Sequence, residues 1–243
     1  MWNLKFDKVV KTYGFQSNYS DKCLYYYFKS NKIVIICLYV DDILILGSDH
    51  SIVSDVKTTL AREFDMKDLG IANTILGLKV SFERQVISLS QTHYIEQLLS
   101  TLGYSECKSS ETPYDYNKRL SPNERTSVDQ LKYSKLIGSL MYAISCTKPD
   151  IAFTVGMLSR FTSNPSKEHW DALTRLMRYL KGTKNYALCY FGYPPTVDGY
   201  SDASWCSEIG NSKSTSGYVF TLGGAAVTWK SKRPTCIALS SME

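Results

Sequence analysis

Residues 33–46, IVIICLYVDDILIL, constrain the fold of this chain most, because two apolar runs meet there at adjacent carboxylates, Asp41 and Asp42. The stretch is rich in Ile and Val, and β-branched residues fit a pleated, half-buried surface better than a helix. The pattern therefore predicts two strands of a hairpin. It argues against a membrane span, which needs roughly 20 apolar residues, whereas this run is shorter and carries two charges at its middle.

The aspartate pair at the junction has two interpretations. Asp side chains commonly close turns by accepting hydrogen bonds from nearby backbone N–H groups. Alternatively, two like charges packed at a sheet edge repel each other and lose solvent, and a divalent cation would compensate for both costs. The residues of the hairpin alone leave both interpretations open.

Composition places few further limits on function. With 243 residues the chain is long enough for one large or two modest domains, and its formal charge of +5 suits a polyanionic partner as well as many ordinary proteins. The seven cysteines include no C-x-x-C pair, which argues against a zinc ribbon and a secreted disulfide framework. The first residues, MWNLKFDKVV, form neither an apolar signal core nor a transit pattern, so an intracellular protein is predicted.

Hydrophobic periodicity predicts a mixture of helices and strands separated by one irregular segment. Helices are predicted at 2–13, 51–64, 91–102, 131–145, 150–162 and 165–181. Strands are predicted at 23–28, in both halves of 33–46, and at 74–82, 86–89, 187–191, 197–203, 216–222, 225–229 and 236–239. Gly223-Gly224 predicts a hairpin turn, and the polar segment 104–130, which contains Pro113 and Pro122, is the predicted linker.

The helix predicted at 165–181 has clear end signals and a basic rim. Asn164 is the predicted cap, Pro165 the first helical residue, and Gly182 the residue just past the end. The rim consists of Lys167, Arg175, Arg178 and Lys181. Such a rim is either a solvated charged face or a set of contacts with the phosphate backbone of a nucleic acid.

Tyr39-Val40-Asp41-Asp42, set in an apolar hairpin, resembles the YxDD box of reverse transcriptases. Further segments resemble, in the same order, the Pol polyprotein of copia-type LTR retrotransposons: MKDLG, ILGLKV, LSQTHYIEQLL, YSKLIGSLMYAISCTKPDIAF, RLMRYLKGT, GYSDASW, KSTSGYVF and ALSSME. This resemblance covers nearly the whole chain and implies an α+β protein. Its implied parts are a partial reverse-transcriptase palm with the start of a thumb at 1–103, a linker at 104–130, a helical thumb or connection region at 131–184, and the opening antiparallel sheet of a ribonuclease H-like domain at 185–243.

For the palm, the resemblance implies RNA-directed DNA synthesis. Asp41 and Asp42 would hold Mg²⁺, with Mn²⁺ as the alternative ion, and Asp41 would be the more direct ligand. Tyr39 and Val40 would lie beside the primer end. The implied partners are an RNA/DNA template-primer and deoxynucleoside triphosphates, in the cytoplasm, in a virus-like particle or in the nucleus, with no membrane.

For the ribonuclease H-like part, the resemblance implies that Asp202 and Glu243 help to hold two metal ions for phosphodiester hydrolysis. The family's fingers, its first palm aspartate and its later ribonuclease H acids lie outside the matching segments. The chain by itself is therefore expected to be a very weak or inactive polymerase and nuclease. Two other interpretations stay open: a nucleic-acid-binding or assembly protein without catalysis, and a product of a decayed retroelement.

Overall fold

A computed structural model describes residues 2–118, 120–192, 195–208 and 213–233. Helices combine with antiparallel sheets throughout, which confirms the predicted α+β class. The chain forms two compact packing units, Met1–Ala72 and Asn73–Glu243. The domain boundaries that the family resemblance implies, after residues 103, 130 and 184, stay predictions.

The elements follow the predicted order. The helices are α1 (Trp2–Tyr13), α2 (His50–Glu63), α3 (Thr92–Thr101), α4 (Gln130–Cys146), α5 (Ala152–Leu158) and α6 (Lys167–Gly182). The strands are β1 (Gln16–Ser17), β2 (Leu24–Lys29), β3 (Lys32–Tyr39), β4 (Asp42–Gly47), β5 (Thr74–Ile75), β6 (Leu78–Glu83), β7 (Val86–Ser90), β8 (Leu188–Phe191), β9 (Val197–Glu208), β10 (Lys213–Leu222) and β11 (Ala225–Lys232). The helix predicted at 150–162 is shorter than expected, because α5 lies between two 3-10 turns. The strand predicted at 236–239 lies outside the described residues.

The first unit is a four-stranded antiparallel sheet, in the order β1-β2-β3-β4, with α1 and α2 packed on one face. Val34 and Ile36 of β3 are fully buried beneath the two helices. The other buried members of this core are Phe6, Val10, Phe15, Tyr25, Ile52, Val56 and Leu60. Burying apolar side chains of this size contributes about 1.5–3 kcal/mol each, so this face holds the sheet and helices together.

Asp49 caps the helix that follows the hairpin. Its carboxylate accepts a hydrogen bond from the backbone N–H of Ser51 at 2.9 Å and lies 3.0 Å from Nζ of Lys32. Hydrogen bonds from the Ser51 side chain, from Lys32 and from the Ser51 backbone hold the pKa of Asp49 well below its usual range. The cap fixes the start of α2 directly after β4.

The second unit contains a helical core formed by α3, α4, α5 and α6. Its fully buried side chains include Tyr133, Leu140, Val155, Leu176 and Leu180. The Tyr133 hydroxyl donates a hydrogen bond of 3.0 Å to the backbone oxygen of Leu158, so the phenol is satisfied inside the core, and burial raises its pKa.

A buried lysine fixes the segment after α6. Nζ of Lys148 donates to the backbone oxygens of Thr183 at 2.6 Å and Tyr186 at 3.3 Å, and it lies over the Tyr186 ring. Burial lowers the pKa of this ammonium group, with the nearby Asp150 acting in the opposite direction. The charge is tolerated because carbonyl oxygens solvate it, including one at the C-terminal end of a helix.

Two antiparallel sheets complete the second unit, in the orders β5-β6-β7-β8 and β11-β10-β9. In the first, β7 pairs with β8, which lies about a hundred residues later in the chain. In the second, the predicted Gly223-Gly224 turn is confirmed, with φ of 57° and 87°. The oxygen of Gly223 accepts a hydrogen bond of 2.8 Å from the Phe191 N–H, so this turn joins the two sheets.

The start of α6 differs from the prediction. The N-cap is Ser166 and the first helical residue is Lys167, so the assignments of Asn164 and Pro165 are wrong. The Asn164 side chain instead bonds with Asn123, donating to its backbone oxygen at 3.0 Å and accepting from its amide at 3.1 Å. This pairing removes Asn164 from the helix end.

Ser166 and His169 form a capping box at this end. The Ser166 hydroxyl accepts from the His169 N–H at 3.3 Å, and Nδ1 of His169 accepts from the Ser166 N–H at 2.8 Å. The imidazole is buried and stacks on Phe161 with 3.8 Å between ring centroids. His169 therefore stabilises the start of α6 through its hydrogen bonds and its packing.

This capping box makes the second unit sensitive to pH. Burial lowers the pKa of His169, outweighing the opposite effects of the Ser121 backbone and Glu168. The stability that neutral His169 contributes is therefore fully present above about pH 6.5, the pKa of histidine in an unfolded chain. It is lost as the pH falls through the lower pKa that His169 has in the folded protein. We expect the melting temperature to fall between about pH 7.5 and pH 5, and to fall less in His169→Gln, because Gln completes a capping box without titrating. Equal pH dependence in thermal melts of both proteins would contradict this role.

Candidate functional site

The aspartate pair lies at the tip of the β3–β4 hairpin. Tyr39 ends β3 and pairs directly with Asp42, which begins β4, so Val40 and Asp41 form a two-residue loop between them. The sequence predicted this hairpin and the position of its turn. The loop length also fixes the register of the two strands, which places Asp42 directly opposite Tyr39.

Tyr39 and Asp42 lie on the sheet face away from α1 and α2. Val34 and Ile36 point toward these helices, and successive residues of a strand point to opposite faces. Tyr39 therefore points to the other face, and its cross-strand partner Asp42 shares that face. The aromatic ring and one carboxylate are thus presented together on the surface that the helices leave uncovered.

Both aspartates are exposed, so the expectation that they are desolvated at a packed sheet edge is wrong for this structure. The physical reason is that they lie at the hairpin tip, beyond the part of the sheet that the helices cover. Tyr39 and Val40 beside them are also exposed, by 57% and 71%. The carboxylates are therefore accessible to a bound ion or substrate.

Val40 has an unfavourable backbone conformation, with φ of 50°. The left-handed region costs L-residues roughly 1–2 kcal/mol and is exceptional for a β-branched residue. In the preceding hairpin the residues in the left-handed region are Ser30 and Asn31, with φ of 47° and 64°, and Asn tolerates this region well. Strained loop residues of this kind occur often at functional sites.

Val40→Asn is therefore expected to raise the free energy of unfolding of the first unit by about 1 kcal/mol. The Val40 side chain is exposed, so little packing is lost. Denaturant unfolding would measure the change. Val40→Ala is the matched control, because it removes the same side chain but lacks the carboxamide with which Asn hydrogen-bonds to the local backbone in the left-handed region, and it should gain clearly less stability than Val40→Asn. An equal gain in both variants would contradict the role of strain.

The second predicted acid, Asp202, lies on β9, at one edge of the sheet that the described strands form. It is exposed and pairs in register with Gly217 of β10, so no side chain covers it from the neighbouring strand. It borders a surface depression of about 380 Å³ that contains Lys230 and Lys232 of β11. Asp202 pairs with Gly217, whereas these lysines pair with Tyr218 and Ser216, so the Asp202 side chain points to the opposite face of the sheet. Tyr218, Ser216 and Ser201 also line this depression.

Sequence reasoning missed the two lysines of this depression. Register pairs Lys230 with Tyr218, and Lys232 with Ser216, so both lysines lie on one face of the sheet. Trp229 points to the opposite face and donates a hydrogen bond of 3.1 Å to the backbone oxygen of Ile144 in α4. The predicted strand ended at Trp229, whereas β11 continues to Lys232. Its alternation of Lys, Ser and Lys was the signal that could have identified them.

Comparisons with known proteins match the part of the chain that contains the hairpin. The family model for reverse transcriptase (RNA-dependent DNA polymerase) matches residues 1–116. The retrovirus-related Pol polyprotein from transposon TNT 1-94 of Nicotiana tabacum is 43% identical over 252 residues, covering 100% of this chain and 19% of that protein. The Pol polyprotein from transposon RE1 of Arabidopsis thaliana is 33% identical, covering 100% and 17%. The putative transposon Ty5-1 protein of Saccharomyces cerevisiae is 33% identical, covering 96% of this chain and 77% of that protein.

This chain belongs to the copia-type retrotransposon Pol family. It spans less than a fifth of the length of the tobacco and Arabidopsis Pol polyproteins. No solved structure matches it. Reverse transcriptases generally use a divalent metal and bind a nucleic-acid template-primer.

The YxDD hairpin of this Pol chain supplies donors that suit such a metal. Mg²⁺ prefers oxygen ligands and is commonly held by one or two carboxylates together with substrate phosphates. Asp41 and Asp42 match that donor chemistry and are accessible. Within residues 2–118, 120–192, 195–208 and 213–233, no three His, Cys, Asp or Glu side chains cluster as a metal site. Asp41 and Asp42 therefore fit one part of a metal site.

The other predicted residues of this Pol chain fall into three groups. Glu243 lies outside the described residues. Lys167 is exposed at the first turn of α6. Arg175, Arg178 and Lys181 each donate a hydrogen bond to the segment between α3 and α4. Among the described helices, none has the length and apolar character needed to cross a bilayer.

Proposed function

We propose that this chain supplies the YxDD part of an RNA-directed DNA polymerase that acts on an RNA/DNA template-primer, and that it is inactive on its own. The observation that carries the proposal is the exposed Tyr39-Val40-Asp41-Asp42 tip in a chain of the copia-type Pol family. An accessible carboxylate pair at the tip of a hairpin suits a metal site in which phosphate oxygens of the substrate complete the ligand set.

In this proposal Asp41 and Asp42 would hold Mg²⁺, with Asp41 the more direct ligand and Asp42 supporting the site. When bound, the ion supplies charge neutralisation at the attacking and leaving oxygens of nucleotidyl transfer. The protein residues provide position: the tight loop holds Asp41, and the Tyr39–Asp42 pair fixes the aromatic ring beside the carboxylates. Tyr39 and Val40 would contact the primer end through their exposed side chains.

The proposal extends to a partial ribonuclease H-like domain at 185–243, following helical thumb and connection segments. The strand order β11-β10-β9 gives an antiparallel sheet with Asp202 on β9, and the chain's last acid, Glu243, would be its partner in metal binding. Lys230 and Lys232 suit contacts with phosphates, and the neighbouring ring of Tyr218 suits stacking on a base. This grouping also favours a second candidate function, nucleic-acid binding without catalysis.

A domain transplant tests the polymerase proposal. The matching segment of the tobacco Pol polyprotein is replaced by this chain, and Mg²⁺-dependent primer extension on an RNA template is measured for the chimera and for the chain alone. We expect extension by the chimera and none by the isolated chain.

Extension by the isolated chain would show that it is not inactive alone. A folded chimera that binds template-primer but does not extend it would contradict the polymerase proposal and favour the non-catalytic alternative.

A further inference from the structure

The basic rim of α6 is covered by the chain's own polypeptide. Residues 107–115, named here the strap, run along α6 in the opposite direction. The side chains of Lys181 and Arg178 contact the start of the strap, and Arg175 contacts its second half. The three basic residues are three positions apart, so they form one stripe on the helix surface.

Each cation of this stripe is paired with an oxygen of the strap. Nζ of Lys181 donates to the Cys107 oxygen at 2.6 Å, and Nε of Arg178 donates to the Lys108 oxygen at 2.7 Å. The Arg175 guanidinium donates to Oγ1 of Thr112 at 2.7 Å and lies 3.9 Å from the Asp115 carboxylate. A row of oxygens at hydrogen-bond distance from a basic stripe is also what a phosphate backbone presents.

The strap lies close to the helix without forming regular structure of its own. The Ser110 N–H donates to the backbone oxygen of Arg178 at 3.2 Å. A Cβ added at Gly182 would lie 3.2 Å from Cβ of Ser109, so the strap backbone passes directly over the end of α6. Residues 107–115 contain no helix or strand.

The strap is held by contacts that a polyanion can replace. Glu111 and Asp115 outnumber Lys108, so the segment is slightly acidic and opposes three positive charges. The Arg175–Asp115 pair is partly exposed, and pairs of this kind contribute little because water and salt screen them. A nucleic-acid strand would bring full charges to the same donors, and charged acceptors bind guanidinium groups more strongly than neutral carbonyl oxygens do.

We propose that the stripe of Arg175, Arg178 and Lys181 is a phosphate-backbone site that the strap covers, and that nucleic acid binds there only when the strap lifts. The proposal rests on nucleic acid as the partner class of the proposed function. It does not depend on Asp41 or Asp42, which belong to the other packing unit. The strap thereby makes nucleic-acid binding conditional on a local rearrangement.

A reversible cross-link tests this covering role. Ser109→Cys and Gly182→Cys are introduced together with Cys107→Ser, which removes the neighbouring native thiol. Disulfides need about 3.5–4.5 Å between Cβ atoms, so a shift of a few tenths of an ångström suffices to form this bond. Mass spectrometry would quantify the cross-link. Binding of a fluorescein-labelled RNA/DNA hybrid would then be measured at low salt for the oxidised and the reduced protein.

We expect the oxidised protein to bind the hybrid about tenfold more weakly than the reduced protein, because three phosphate contacts are blocked. The two single-cysteine variants, in the same Cys107→Ser background, should bind equally under both conditions. Arg178→Ala should weaken binding by the reduced protein.

Equal binding by the oxidised and reduced double variant would overturn the proposal, and so would failure of the cysteines to cross-link. Absence of binding in both states would also overturn it. Primer extension by the chimera tests the polymerase proposal separately, so the two failures are distinguishable.

Discussion

Replacing Asp41 with asparagine in the chimeric polymerase is expected to lower the rate of primer extension by about 10³-fold or more. Asparagine keeps the size of the side chain and one oxygen, but it removes the negative charge that attracts a divalent cation. Metal ions stabilise transition-state charge by several kcal/mol, and each 1.36 kcal/mol corresponds to a tenfold change in rate. Asp41 is exposed, so the substitution should leave the hairpin folded.

Asp65→Asn is the matched control for this substitution. Asp65 is also an exposed aspartate of the first unit, but it lies after α2, outside the Tyr39-Val40-Asp41-Asp42 sequence. Extension by this variant should remain close to that of the unmodified chimera. Single-turnover extension across a range of Mg²⁺ concentrations would measure both effects. An Asp41→Asn chimera that extends primers at the unmodified rate would exclude Asp41 as a metal ligand.

Leu176→Ala is expected to lower the free energy of unfolding of the second unit by about 2–5 kcal/mol. Leu176 is 0% exposed, in the middle of the core formed by α3, α4, α5 and α6. Truncation removes apolar contacts and leaves a cavity that close-packed neighbours fill only in part. A loss of this size is a large share of the stability of an ordinary domain.

Leu131→Ala provides the comparison for this cavity. Leu131 also lies on a helix of the second unit, but 62% of its surface is exposed, so its truncation should change stability by about 0.5 kcal/mol or less. Urea unfolding followed by circular dichroism would measure both variants. Equal losses at the two positions would mean that Leu176 is not in the core of this unit.

Local patterns predicted most elements because their signals lie within single segments. The hairpin at 33–46 was predictable from its β-branched residues and its turn, and α6 from the helical spacing of its hydrophobic residues. The start of α6 was not, because Asn164 has a partner in Asn123, 41 residues earlier. A side chain that satisfies a cap in isolation was occupied by a tertiary contact that no local pattern shows.

The candidate site was predictable to a similar extent. The family resemblance proposed Asp41, Asp42 and Asp202 as site residues, and the structure shows all three exposed. It could not reveal that Arg175 and its two neighbours on α6 are covered by the strap, since this contact depends on how residues 107–115 cross the helix. The same irregular composition that predicted a linker gave no sign of where it packs.

The pairing of β7 with β8 has a consequence for synthesis on the ribosome. Ser88 and its partner Cys189 are 101 residues apart, and chains elongate at about 5–20 residues per second. The edge of β7 therefore emerges on the order of 5–20 seconds before the strand that completes the sheet. During that interval it offers unpaired backbone groups to other nascent chains. Delaying or omitting residues 188–191 should consequently favour aggregation of the β5–β7 segment.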